Sequence, residues 1–80
     1  MKNNVFFATL KLTFIRSTFF EDNVYSRGEF IYITKQFFSP NFSLAFLALT
    51  DYLEYESADG CLAYCEVDII SLVKAGESYA

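Results

Sequence analysis

Two carboxylates at alternating positions are the residues of this chain best able to do chemistry. Glu66 and Asp68 are separated by one residue, so in a β-strand both side chains project from the same face. Together with Glu56 or Asp59 they could supply the oxygen ligands of a divalent cation. The alternative is a solvated strand face, which we favour because a chain of 80 residues has little material with which to enclose a pocket.

The composition argues against most other catalytic sites. The chain has no histidine, the commonest general base and metal ligand, and it contains neither a Gly-rich phosphate loop nor a GxSxG sequence. In a strand the Cα atoms of Cys61 and Cys65 would be about 13 Å apart, too far for a disulfide, so we predict small buried thiols in a reducing compartment. We therefore expect no catalytic residue, no cofactor, no metal and no enzymatic activity.

The charge of the chain is concentrated in its second half. The first 38 residues hold five basic and three acidic residues, a net charge of +2, whereas residues 39–80 hold one basic and seven acidic residues, a net charge of −6. Such an acidic protein is a poor ligand for nucleic acid, but its carboxylates attract basic protein surfaces. The alternative role of this charge is to keep a domain with ten phenylalanines dispersed in water.

We predict that the acidic run between residues 51 and 68 binds a basic partner. No Lys or Arg interrupts this run. If the helix and the strand that carry its carboxylates meet at one edge of the molecule, the run forms a single acidic patch, and neighbouring tyrosines add aromatic anchors. The predicted partner-binding residues are Asp51, Glu54, Tyr55, Glu56, Asp59, Tyr64, Glu66 and Asp68.

A helix must position the first of these carboxylates. Between residues 42 and 53 apolar side chains recur every three or four positions, which puts them on one stripe of a helix predicted to run from Pro40 to Glu56. Ser39 is the predicted N-cap, with Asn41 as the alternative, and Asp59-Gly60 ends the helix. The opposite face combines leucines with carboxylates, so it is either covered by a long N-terminal strand or a dimer partner, or it contacts another protein.

Strands must position the remaining residues. Alternating apolar side chains predict a half-buried strand over Val5–Ile15, and β-branched and aromatic residues predict a second over Glu29–Phe38, which we place centrally or covered on both faces. Cys61–Ile69 is the third predicted strand, with Glu66 and Asp68 on its polar face. Beyond it, residues 70–74 continue the strand or form a short helical end, and residues 75–80 form a frayed tail.

The segment Ser17–Gly28 is predicted to form a hairpin that turns at Glu21–Asn23, with an irregular loop as the alternative. Arg27-Gly28 would then mark a bulge or kink. These elements predict a single α+β domain, residues 1–80, in two layers. In it, a small antiparallel or mixed sheet of order β-β-α-β carries one helix on one face.

In size, charge and element order the whole chain resembles the small phage-encoded inhibitors, of which anti-CRISPR proteins are the best-known group. The resemblance involves no shared motif, so no functional residue is carried over from that group. It implies stoichiometric binding to a bacterial defence protein. Carboxylates such as Glu54, Asp59, Glu66 and Asp68 would then occupy a basic nucleic-acid channel.

The alternative to an inhibitor is a structural protein, either a homo-oligomer or a small subunit of a larger assembly. Its basis is apolar surface in excess of what one small core needs, at Phe7, Phe19, Phe20, Leu44 and Leu47. No apolar stretch is long enough to span a membrane, and Lys11 interrupts the apolar N-terminal region without a cleavage site after it. We therefore expect a cytoplasmic protein, in the host cytoplasm if it is phage-encoded.

Overall fold

A three-stranded antiparallel sheet with one helix on one of its faces builds the molecule. The computed structural model describes residues 2–60 and 62–79, without the side chains of Lys2, Asp59 and residues 76–79. Its elements are β1 (Lys2–Phe14), β2 (Thr18–Phe20), β3 (Asn23–Tyr25), β4 (Phe30–Ser39), α1 (Phe42–Asp59) and β5 (Cys65–Tyr79). The predicted α+β class is confirmed, and the sheet is antiparallel throughout.

Strand β1 lies in the centre of the sheet, between β4 and β5. Its alternation is the one predicted, because every second side chain is buried beneath the helix, whereas those between them are half-buried on the other face. Leu10, for example, is fully buried and pairs with Ile33 of β4 and Ile69 of β5. The buried residues of β1 are Phe6, Ala8, Leu10, Leu12 and Phe14.

The helix covers this core with part of the predicted stripe, because Phe42 and Phe46 are 54 % and 44 % exposed. It begins and ends later than expected. Ala45 and Leu49 are fully buried against the sheet. The N-cap is Asn41, whose side-chain oxygen accepts a hydrogen bond from the Leu44 N–H at 2.9 Å. The prediction of Ser39 as the cap is wrong because β4 extends to Ser39, where the buried hydroxyl donates to the Asn41 carbonyl at 3.0 Å.

Gly60 ends the helix, as predicted. The N–H groups of Gly60 and Leu62 both donate to the carbonyl of Glu56, at 2.9 and 3.3 Å. A Cβ atom on Gly60 would lie 2.8 Å from the Glu56 Cα atom and would clash with the Glu56 carboxylate. Only glycine therefore allows this close approach of the chain to the last helical turn.

The predicted hairpin and its bulge are confirmed. Strands β2 and β3 pair around Glu21 and Asp22, which have φ values of 48° and 66°, as two-residue hairpin turns require. Gly28, at φ 90°, donates to the Phe14 carbonyl at 2.8 Å, while the Phe14 N–H donates to the Glu29 carbonyl at 2.9 Å. Two residues therefore oppose one, which defines a bulge between the hairpin and β4.

Two strand predictions are corrected by the structure. Strand β5 begins at Cys65, after a turn at residues 62–64, and continues to Tyr79. Residues 70–74 thus extend the strand, which is one of the two predicted alternatives, whereas the frayed tail is wrong for residues 75–79. Strand β4 is not central, because among the described residues it pairs only with β1 and forms one edge of the sheet. Cys65 is half-buried against the core, whereas Cys61 lies outside the described residues.

Candidate protein-binding surfaces

The side of α1 that points away from the sheet is the first candidate surface. It exposes Leu44, Leu47, Asp51 and Glu54, which we call the outer helix face. Leu47 is 54 % exposed and lies one turn from Asp51, so apolar side chains and carboxylates share this face. Tyr55, at the border of the outer helix face, is 73 % exposed.

All charges of α1 have the same sign and lie in its second half. The helix carries four carboxylates and no Lys or Arg, and its last turn holds no basic residue. The C-terminal end of a helix is the negative end of its dipole, where carboxylates are unfavourable by roughly 0.3–1 kcal/mol each at exposed sites. This penalty is confined to the last turn, which holds Glu56 and Asp59, whereas Asp51 and Glu54 lie farther from the helix end.

Glu66 and Asp68 lie on the opposite face of the sheet from the helix. Cys65 and Val67 pack against the core, so the residues that alternate with them project away from α1. The acidic run therefore does not converge on one edge, and the condition for a single acidic patch is not met. The signal was present in the sequence, because the polar side of an amphipathic strand must face away from the layer that covers its apolar side.

The remaining predicted partner-binding residues are Tyr64, Glu56 and Asp59. Tyr64 lies in the turn before β5, and the Arg16 guanidinium carbon stands 4.3 Å from the centre of its ring. Tyr64 therefore already holds a cation of its own chain in a cation–π contact. Glu56 is half-buried at the helix end, and the side chain of Asp59 lies outside the described residues.

The face of the sheet that α1 does not cover is the second candidate surface. We call it the open sheet face. At one end Lys11 lies opposite Asp68 in the register, and its Nζ atom stands 4.3 Å from the centre of the Phe30 ring. The acidic charge of β5 is thus offset here by a basic residue of β1. The other end is apolar, with Phe38 58 % exposed and Val73 53 % exposed.

The outer edge of β4 is the third candidate, which the sequence-based prediction missed. Phe30 and Tyr32 were expected to be covered because β4 is apolar on both faces, yet they are 52 % and 58 % exposed. A strand that is apolar on both sides usually has both of its faces covered by other layers. In the described chain β4 has a neighbour on one side only.

No other kind of site is found in the described residues. Within residues 2–60 and 62–79 there is no pocket, and no three His, Cys, Asp or Glu side chains are placed to hold a metal ion. In this same part of the chain, no helix has both the length and the apolar character that crossing a bilayer requires. Comparison with protein-family models, with curated proteins and with solved structures finds no match for this chain.

Proposed function

We propose that this protein binds and blocks a basic surface of another protein through the outer helix face. The observation that carries the proposal is the exposure of Leu44 and Leu47 next to Asp51 and Glu54 on a helix without a single basic residue. Exposed apolar side chains bordered by charge are typical of protein contacts. The protein acts by occupying a surface and has no enzymatic activity of its own.

The position of the carboxylates supports binding over solubility as their role. Charges that serve only to disperse the protein can lie anywhere on its surface, including helix N-termini, where carboxylates also stabilise the fold. In α1 none of them lies in the first turn, where the helix dipole would favour them. Residues that break a local rule for stability are commonly retained for function.

The chemistry of the outer helix face defines the partner. Its carboxylates attract Lys and Arg side chains, and the commonest basic protein surfaces in a cell are those that bind nucleic acid. We therefore propose a cytoplasmic nucleic-acid-binding protein or complex as the target, such as a bacterial defence complex. The carboxylates repel phosphate groups, so the protein contacts the target protein and not its nucleic acid.

The test is a pull-down with the tagged chain from bacterial lysate at low ionic strength, followed by a salt step. The unmodified chain is compared with Asp51→Asn/Glu54→Gln, and the matched control is Glu66→Gln/Asp68→Asn, which removes the same two charges from the open sheet face. We expect the helix variant to lose affinity for the captured protein by about tenfold, or about 1.4 kcal/mol, and the control to retain it.

Equal capture by all three chains would contradict the proposal and leave solubility as the role of the charge. An equal loss in both variants would also contradict it, because net charge and not the outer helix face would then govern binding. The captured protein itself supplies a further criterion. Its binding to nucleic acid should be inhibited by one equivalent of the unmodified chain.

A further inference from the structure

We infer that two copies of this chain pair through the outer edges of their β4 strands, forming one continuous six-stranded sheet with both helices on the same side. The inference concerns a different surface from the outer helix face and does not depend on the proposed function.

The backbone of β4 presents its hydrogen-bonding groups outward at every second residue. Phe14 of β1 exchanges hydrogen bonds with Gly28 and Glu29, so the even-numbered residues of β1 bond toward β4. Their partners in the register are the odd-numbered residues of β4, for example Ile33 opposite Leu10. The N–H and C=O groups of the even-numbered residues therefore point away from β1, from Phe30 to Phe38.

This edge lacks the devices that normally prevent strands from pairing. The register of β4 with β1 runs without a shift from Thr13–Phe30 to Asn4–Ser39, and β4 contains no proline. Its single charged residue is Lys35, whose Nζ atom stands 5.2 Å from the centre of the Tyr52 ring on the helix. A long, regular and aromatic edge of this kind is a template for a further strand.

The strand is complementary to itself in one register. An antiparallel pair centred on Thr34 joins all nine residues from 30 to 38, with Phe30 opposite Phe38 and Thr34 opposite Thr34 of the second copy. Aromatic pairs of this kind stabilise antiparallel sheets. Lys35 then faces Ile33, whereas a register centred on Lys35 would place two like charges opposite each other.

The helices fit the same arrangement. Tyr52 contacts Phe37 of β4, with ring centres 6.2 Å apart, which identifies the flank of α1 on the β4 side. Ala48 and Tyr55 lie four residues before and three after Tyr52, so they share this flank, and both are exposed. If each helix lies above β4 and β1, the two helix axes are about 10 Å apart, the usual distance between packed helices.

The area is sufficient for a stable dimer. The molecule measures 43 × 20 × 20 Å. Its thickness of 20 Å, measured through the sheet and the helix, is the height of the surface along the β4 edge. Nine paired residues extend over about 30 Å, and a strip of this length and about 20 Å height covers roughly 600 Å² on each copy. The total of about 1,200 Å² lies at the lower end of specific interfaces.

The experiment measures the mass of the full-length chain by sedimentation equilibrium between about 1 and 100 μM, a range that covers typical dimer affinities. The variant is Thr34→Asp, which places two carboxylates opposite each other across the two-fold axis. Its control is Ser71→Asp, because both Thr34 and Ser71 pair with Thr9, on opposite edges of the same face. Circular dichroism checks that each variant is folded.

We expect the unmodified chain and Ser71→Asp to reach twice the monomer mass of 9.2 kDa, and Thr34→Asp to dissociate at least tenfold more readily. Mixing Thr34→Asp with Thr34→Lys chains should restore the dimer, because opposite charges then face each other. A chain that stays at 9.2 kDa throughout overturns the inference and leaves a strand of another protein as the occupant of this edge. A dimer that Thr34→Asp leaves intact, or that mixing fails to rescue, also overturns it.

Discussion

The two edge strands of the sheet, β5 and β4, differ in the regularity of their register and in their number of charged residues. Strand β5 shifts register with β1 twice, between Val5 and Phe6 and between Thr9 and Leu10 of β1, and it carries Glu66, Asp68 and Lys74. Bulges and charges of this kind keep an edge strand from pairing with other chains. Strand β4 has a regular register and one charged residue. The difference supports the proposed pairing, in which β5 is a terminal edge and β4 is an interface.

The helix accentuates this difference, because it lies nearer to β4 than to β5. Tyr52 contacts side chains of β4, and Ile33 of β4 is half-buried beneath the helix. Ile69, which occupies the same row on β5, is 41 % exposed. Strand β4 therefore has the better-covered side chains beneath the helix, and its outward backbone groups are the ones available to a further strand.

The largest expected effect on stability distinguishes residues of β4 whose N–H groups bond to β1 from residues whose N–H groups point away from it. Ile33→Pro removes an N–H that bonds to β1 together with a core side chain, so we expect a loss of at least about 3 kcal/mol in unfolding free energy. Thr34→Pro removes an N–H that points outward and should cost the monomer about 1 kcal/mol. Urea unfolding at low protein concentration measures both. A greater loss for Thr34→Pro would refute the assigned hydrogen-bonding direction.

A smaller effect on unfolding free energy should distinguish the helix-facing side chains of β4 from those of β5. Ile33→Ala leaves a cavity beneath the helix and should cost about 2 kcal/mol or more. Ile69→Ala removes a side chain that is already partly in water, so we expect about 1 kcal/mol. The two residues pair with the same residue, Leu10, and each serves as the other's control. Equal losses in thermal or urea unfolding would mean that α1 covers both edges alike.

The smallest effects concern Lys11, which lies between the two edges on the open sheet face. Asp68→Asn removes its neighbour on β5 and should cost about 0.3 kcal/mol at low ionic strength, an effect that 0.5 M salt screens. Phe30→Leu removes the ring on β4 and should cost about 0.5 kcal/mol with little dependence on salt. Unfolding at two salt concentrations measures both variants. A salt-dependent loss for Phe30→Leu alone would reverse this assignment.

Much of the candidate site could be predicted from sequence, but its geometry could not. The carboxylates and leucines of the outer helix face follow from the helical period, and their exposure follows from the buried stripe on the other side. The grouping of Glu66 and Asp68 with them depended on how the third strand packs, and the side of that strand that packs beneath the helix is the one that carries Cys65 and Val67. Helix and strand instead present these carboxylates on opposite faces of the molecule.

By itself, the sequence determined the local features of this protein. The alternation in β1, the stripe of α1, the turn at Glu21–Asp22 and the termination at Gly60 all depend on residues close to one another in the chain, where sterics and periodicity suffice. The tertiary structure alone decided that β4 lies at an edge and that β5 extends to Tyr79. Strand order depends on pairing between distant segments, and a pattern that is apolar on both faces shows only that a strand needs cover, not which chain supplies it.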